Sequence, residues 1–164
     1  VTGLVGSEMC IRDSHRANLN GSESWLENKP EQIDRCINLG YDVEVDVRYD
    51  PLTQVFWLGH DEPKFKISWK WMANRHKHLW IHCKDITTLY EFTKYNHAGY
   101  QYFWHQEDDF ALTSNNYIWT YPGKPYSPNS IIVMPETYMK IRDIKNLKVY
   151  DCYGICTDYP SELE

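Results

Sequence analysis

From residue 29 onward the chain alternates between two apolar rhythms. In KPEQIDRCINLG (29–40), Ile33, Cys36 and Ile37 recur at helical spacing, with Pro30 suited to the first turn and Gly40 to a stop. YDVEVDVRY (41–49) then changes every second residue, the period of a strand. DPLTQ is a turn and VFWLGHDEP (55–63) is extended again, so residues 41–60 read as a strand with a return arm. Ser68 is a natural N-cap for a helix in SWKWMANRHKH. LWIHCKD predicts a short buried strand, and ITTLYEFTKYNHAG a helix closed by Gly99. YQYFWHQ, NYIWTY and SIIVMP predict further strands, with a turn of helix over 109–115. ETYMKIRDIKNL predicts a helix and KVYDCYGICTDYP the last extended segment, while YPGKPYSPNS reads as a surface loop.

Strands separated by helices predict βαβ units on a parallel sheet. Polar residues gather at the C-terminal ends of these strands: Glu44 with Asp46, His82 with Lys84, His105 with Glu107. Parallel α/β folds build their sites at that end. The expected fold class is therefore α/β, a small, compact (β/α) TIM-type barrel, incomplete at its first strand.

Residues 1–14, VTGLVGSEMCIRDS, show neither rhythm and lack the apolar core of a signal peptide. SEMCIRDS resembles translated sequencing-adapter read-through. The expected division is thus a non-native or disordered segment over 1–14 and one barrel domain over 15–164. The default compartment is the cytoplasm, although a signal peptide lost with the native N-terminus is compatible with this start. A formal charge of -6 argues against a nucleic-acid partner, and no apolar run reaches membrane-spanning length. The five cysteines form no CxxC pair and read as reduced core thiols rather than metal ligands. Oligomeric state is left open.

The chemistry starts at EVDV. Residues two apart on a strand share a face, so Glu44 and Asp46 point one way and Val43, Val45 and Val47 the other. Two carboxylates that close repel unless a cation or a proton lies between them. The bland alternative is the wet face of an edge strand.

HR at 15–16, EN at 27–28, EVDV at 44–47, GHDEP at 59–63 and TDYP at 157–160 occur in one order along the chain. Together they resemble the glycerophosphodiester phosphodiesterase family, within the wider group of phospholipase-C-like TIM barrels. The resemblance implies catalytic histidines at His15 and His60 and phosphate-binding cations at Arg16 and Lys84. It also implies a metal site at Glu44 and Asp46, holding Mg²⁺ or Ca²⁺ against a small-molecule phosphodiester. Histidine suits proton transfer to and from phosphodiester oxygens because its pKa lies near neutrality.

The chain departs from that pattern twice. Where the family has a third metal-binding acid, HCK puts His82, a ligand that leans toward Mn²⁺ or Zn²⁺. The sizeable insertion the family carries between the strands of His60 and His82 is missing, which leaves the mouth more open. His82 also fits a core histidine, Glu27 and Asn28 a loop brace, His105 and Glu107 a solvated strand end, and Thr157 and Asp158 closing-strand scaffold. The expected activity is a phosphoric diester hydrolase acting on glycerophosphodiesters or related phospholipid-derived diesters. A lyase that forms a cyclic phosphate and a degenerate phosphate-binding barrel remain the alternatives.

Overall fold

The computed structural model of the protein describes residues 10–95 and 98–164. Its first half contains β1 (Ile11–His15), α1 (Pro30–Asn38), β2 (Asp42–Asp50), β3 (Val55–Leu58), β4 (Phe65–Ile67), α2 (Trp69–Ala73), β5 (Leu79–Cys83) and α3 (Ile86–Thr93). Its second half contains β6 (Gln101–Phe103), β7 (Phe110–Leu112), β8 (Ile118–Thr120), β9 (Ser130–Val133), α4 (Ile141–Lys145) and β10 (Gly154–Thr157). All these strands join one mixed sheet that curls into a half-barrel.

The sheet is organised around β2, the longest strand. One edge of β2 runs parallel to β1 over Asp42–Glu44 and then antiparallel to β3 over Val47–Asp50, and the other runs parallel to β5 over Val43–Val47. The alternation in YDVEVDVRY explains this position. Val43, Val45 and Val47 are fully buried with Ile33, Cys36, Ile81 and Phe92, in an outer layer formed with the first three helices. Each buried valine contributes about 1.5–3 kcal/mol. That anchoring fixes the register and obliges Glu44 and Asp46 to face the hollow of the sheet. A second outer layer packs Ile132 and Ile155 against Ile144 and Leu163. The hollow itself is filled by Trp80, Phe103, Trp119, Ile131 and Val133. All five cysteines are buried and unbridged, as core thiols should be.

The expected small (β/α) TIM-type barrel, incomplete at its first strand, is not what forms. The parallel run β6-β5-β2-β1-β10-β9-β8 ends without β6 meeting β8, and β7 lies antiparallel on β8 as the last strand of its path. The reason lies in residues 104–130. The expected helical turn over 109–115 is instead β7, and YPGKPYSPNS crosses to β9 as a loop with no covering helix. Two of the layers that a barrel needs outside its strands are therefore absent, and the sheet stays open. The helix expected from ETYMKIRDIKNL also shortens, to a 3-10 turn at Pro135–Thr137 and the single turn of α4. No helix among the described residues is long and apolar enough to cross a membrane.

The boundary drawn at Ser14 falls inside β1, where Ile11–Ser14 pair in register with Gly154–Thr157 of β10; residues 1–9 lie outside the described residues. This strand carries an energetic fault. Asp13 is fully buried, and neither carboxylate oxygen has a hydrogen-bond partner at normal geometry. Burial, reinforced by the charge of Asp42, pushes its pKa well above the usual carboxylate range, with the Trp80 side chain partly opposing. The raised folded pKa gives a stabilisation that is full below about pH 4 and lost as pH rises through the folded value. Asp13→Asn should therefore raise the melting temperature at neutral pH, by about 2–4 °C for each kcal/mol recovered. It should also flatten the decline in stability above about pH 4. Thermal melts across that range test this, and an unchanged or lower melting point at neutral pH would contradict it.

Candidate metal centre and phosphate site

The site is assembled at the C-terminal ends of β1, β2 and β5. At the end of β1 the chain turns sharply, with Arg16 (φ 52°) and Ala17 (φ 68°) both in the left-handed region. Such strain costs on the order of 1–3 kcal/mol per residue and survives only where the surroundings enforce it. Here the Ser14 hydroxyl donates to the Asn18 carbonyl at 2.7 Å, and the Gln32 amide donates to the Ala17 carbonyl at 3.2 Å. The turn sets His15 and Arg16 on the same side as Glu44 and Asp46.

Glu44 and Asp46 are almost completely buried. Asp46 is held twice by Asn28: the Asn28 amide donates to Oδ2 at 2.9 Å, and the Asp46 N–H donates to Asn28 Oδ1 at 2.8 Å. Its other oxygen, Oδ1, is 3.2 Å from His82 Nδ1 and 3.3 Å from Lys84 Nζ. Arg16 Nε lies 3.4 Å from Oδ2. Burial works against the charged Asp46 carboxylate, yet His82, Lys84 and Arg16 outweigh it and hold its pKa well below the usual range.

His82 is fixed in one orientation. Its Nε2 lies 2.8 Å from the His105 carbonyl, so that nitrogen carries the proton and donates. Its ring stacks on Phe103 at 5.0 Å. Nδ1 is thereby turned toward the carboxylates, 3.4 Å from Glu44 Oε1. Without a metal, burial disfavours the imidazolium, but Asp46 and Glu44 prevail and lift the His82 pKa to about 9.

These residues fit a divalent cation. One ligand atom each from Glu44, Asp46 and His82 lies within 4.8 Å of the others. Asp46 Oδ1 is buried with His82 and Lys84 at ion-pair distance but in no well-formed hydrogen bond, and coordination would satisfy it. A histidine that donates its far nitrogen to a carbonyl while presenting the near one is the usual arrangement around a metal.

His15 is positioned by Asp158, which follows β10. Nδ1 lies 2.8 Å from Asp158 Oδ1, leaving Nε2 facing inward, 3.9 Å from Glu44 Oε2. Asn18 donates to the same Asp158 oxygen at 2.9 Å. Burial opposes protonation of His15, but the Asp158 hydrogen bond and the Glu44 charge outweigh it and raise its pKa.

His60 returns to the site on the β3 arm. Gly59 (φ 149°) makes this approach possible, since a Cβ there would stand 2.0 Å from the Glu62 carbonyl oxygen. Arg48 donates to the Gly59, His60 and Asp61 carbonyls and pins the loop. The His60 ring is paired with Asp61 Oδ1 at 2.7 Å and is the most exposed of the seven residues expected from the sequence, at 36 %.

Six of those residues, His15, Arg16, Glu44, His60, His82 and Lys84, line one cavity of about 400 Å³, and Asp46 stands directly behind it. Three further participants were not expected in these roles: the sequence reads Asp158 as scaffold and Asn28 as a brace, and does not single out Asn18. Asp158 orients His15, Asn28 orients Asp46, and Asn18 ties Asp158 to Glu27. The motifs TDYP and EN contained the first two, but nothing in them showed which side chain each would meet. Comparison with protein-family models, with curated proteins and with solved structures finds no match.

Calorimetric titration with Mn²⁺ should show one site per chain. His82→Ala should abolish or strongly weaken it, and Asn28→Ala should weaken it about 10–100-fold, the usual cost of losing a residue that supports a ligand. Full affinity in both variants would remove His82 and Asn28 from the centre.

Proposed function

We propose that the protein is a metal-dependent phosphodiesterase, hydrolysing a small phosphodiester to a phosphomonoester and an alcohol. One observation carries this reading. A histidine held by a carboxylate, two cationic side chains (Arg16 and Lys84) and a metal-type donor set face one cavity. A divalent cation bound by Glu44, Asp46 and His82 would draw charge from a non-bridging phosphate oxygen.

The chain's own groups supply the rest. Arg16 and Lys84 meet the remaining phosphate oxygens; Arg16 matches their geometry through its planar fork, and Lys84 acts as a point charge. Asp158 holds the proton on His15 Nδ1, so the free Nε2 can take the proton of the attacking water. His60 lines the same cavity and, when protonated, gives its proton to the departing alcohol oxygen. Its exposure suits that task, because the alcohol leaves toward solvent. The buried, preset cations cost no rearrangement as charge develops on phosphate. The resemblance to glycerophosphodiester phosphodiesterases supports the same assignment of roles.

The test is hydrolysis of glycerophosphodiesters and of bis(p-nitrophenyl) phosphate with Mg²⁺, Ca²⁺, Mn²⁺ or Zn²⁺. His15→Ala and His60→Ala should each lower turnover about 100-fold or more while leaving Mn²⁺ affinity intact. Asp158→Asn should lower turnover less than His15→Ala does, since it disturbs orientation rather than the transferring group. Binding of the esters without turnover under every metal would show a phosphate-binding protein instead. Accumulated cyclic phosphate would show a lyase.

A further inference from the structure

The cavity has two chemically different walls. Strands β1, β2 and β5 supply the charged wall described above. The opposite wall comes from β8, β9 and the residues that follow them: Trp119, Tyr121, Pro122, Val133 and Met134. Its base is an aromatic stack, with Trp119 on Phe103 at 4.4 Å and Phe103 on His82 at 5.0 Å. Nearer the mouth, Tyr121 stacks with His105 at 5.4 Å and remains 44 % exposed. We infer that this wall receives an apolar ester group, so that the substrate is a phosphodiester with an aryl or hydrocarbon alcohol rather than a polyol on that side. The inference rests on the phosphodiesterase reading.

Hydrogen-bonding capacity supports it. The hydroxyls of a polyol need partners once they leave water. On this wall the polar groups are largely occupied. His105 Nε2 is engaged with the Asp108 carbonyl, the Tyr121 N–H donates to the Asp109 carbonyl, and the Met134 N–H donates to the Cys156 carbonyl. The Gln106 side chain and the Tyr121 hydroxyl are the polar exceptions; the rest of the lining is ring face and aliphatic surface from Trp119, Pro122, Val133 and Met134. Flat or hydrocarbon groups gain from such a surface through burial and stacking.

The sheet is open beside this wall. β6 ladders with β5 alone and β8 with β7 and β9, so no ladder joins them, and Ser114 bonds the free edge of β6 at Tyr102. His105, just beyond β6, and Tyr121, just beyond β8, stand on either side of that opening. Their rings meet across it, so a group longer than glycerol passes toward solvent over the half-exposed Tyr121 ring.

Glycerophosphoglycerol and the benzyl and hexyl esters of glycerol phosphate test this, since all three release a primary alcohol. The benzyl or hexyl ester should show at least a tenfold higher kcat/KM than glycerophosphoglycerol. Benzyl above hexyl would indicate an aryl group, and hexyl above benzyl a hydrocarbon chain. Tyr121→Ala, a change at a half-exposed position, should collapse the preference toward unity. Binding is read in parallel by calorimetry with benzyl phosphate, hexyl phosphate and glycerol 3-phosphate, and the apolar monoesters should again bind at least tenfold tighter. Hydrolysis of all three diesters without preference would overturn the inference and leave the phosphodiesterase reading standing. Absence of hydrolysis would overturn that reading, while the monoester affinities would still decide the apolar wall. Equal affinity, or tighter binding of glycerol 3-phosphate, would overturn it.

Discussion

Two carboxylates of like charge, Glu44 and Asp46, are buried side by side, and the surrounding structure answers that constraint. Isolated burial of either anion would cost several kcal/mol. The protein meets the cost by converging positive and donor groups from separate elements. Arg16 comes from the end of β1, Lys84 from the end of β5, His82 from within β5, and Asn28 from the approach to α1. With a divalent cation in place, its charge and those of Arg16 and Lys84 would exceed the charges of Glu44 and Asp46.

The fold serves this cluster economically. The valines of β2 bind the strand to the outer helical layer and aim the acids inward. The parallel neighbours then deliver His15 and His82 at matching levels, with His15 beside Glu44 and His82 beside Asp46 in register. The antiparallel arm after β2 brings His60 back to the same mouth, where the Gly59 N–H donates to the Asp46 carbonyl at 3.0 Å. Closure of a barrel is not needed for any of these placements. That explains how a sheet left open between β6 and β8 retains a formed site.

Much of this was legible in the sequence because it depends on local alternation. Val43–Val47 showed which way Glu44 and Asp46 face, and Pro30 and Ser68 marked where α1 and α2 begin, whereas α3 ends at Thr93, well before the Gly99 stop that was expected. The pairing of His15 with Asp158 was not legible, since 143 positions separate them and only the β1–β10 ladder brings them together. Which nitrogen His82 turns toward the acids depends on the His105 carbonyl, a backbone group with no sequence signature. The open sheet was missed for a different reason. Its cause is the absence of helices over residues 104–130, and strand-like runs alone do not show whether a barrel closes.

The central claim is that Glu44, Asp46 and His82 form one metal centre. Electron spin-echo spectroscopy of the Mn²⁺-loaded protein addresses it directly, because a coordinated imidazole nitrogen imprints its nuclear modulation on the metal's signal. The account predicts nitrogen modulation from a single histidine that disappears in His82→Ala. Bound Mn²⁺ with no nitrogen modulation, or modulation that survives in His82→Ala, would contradict it.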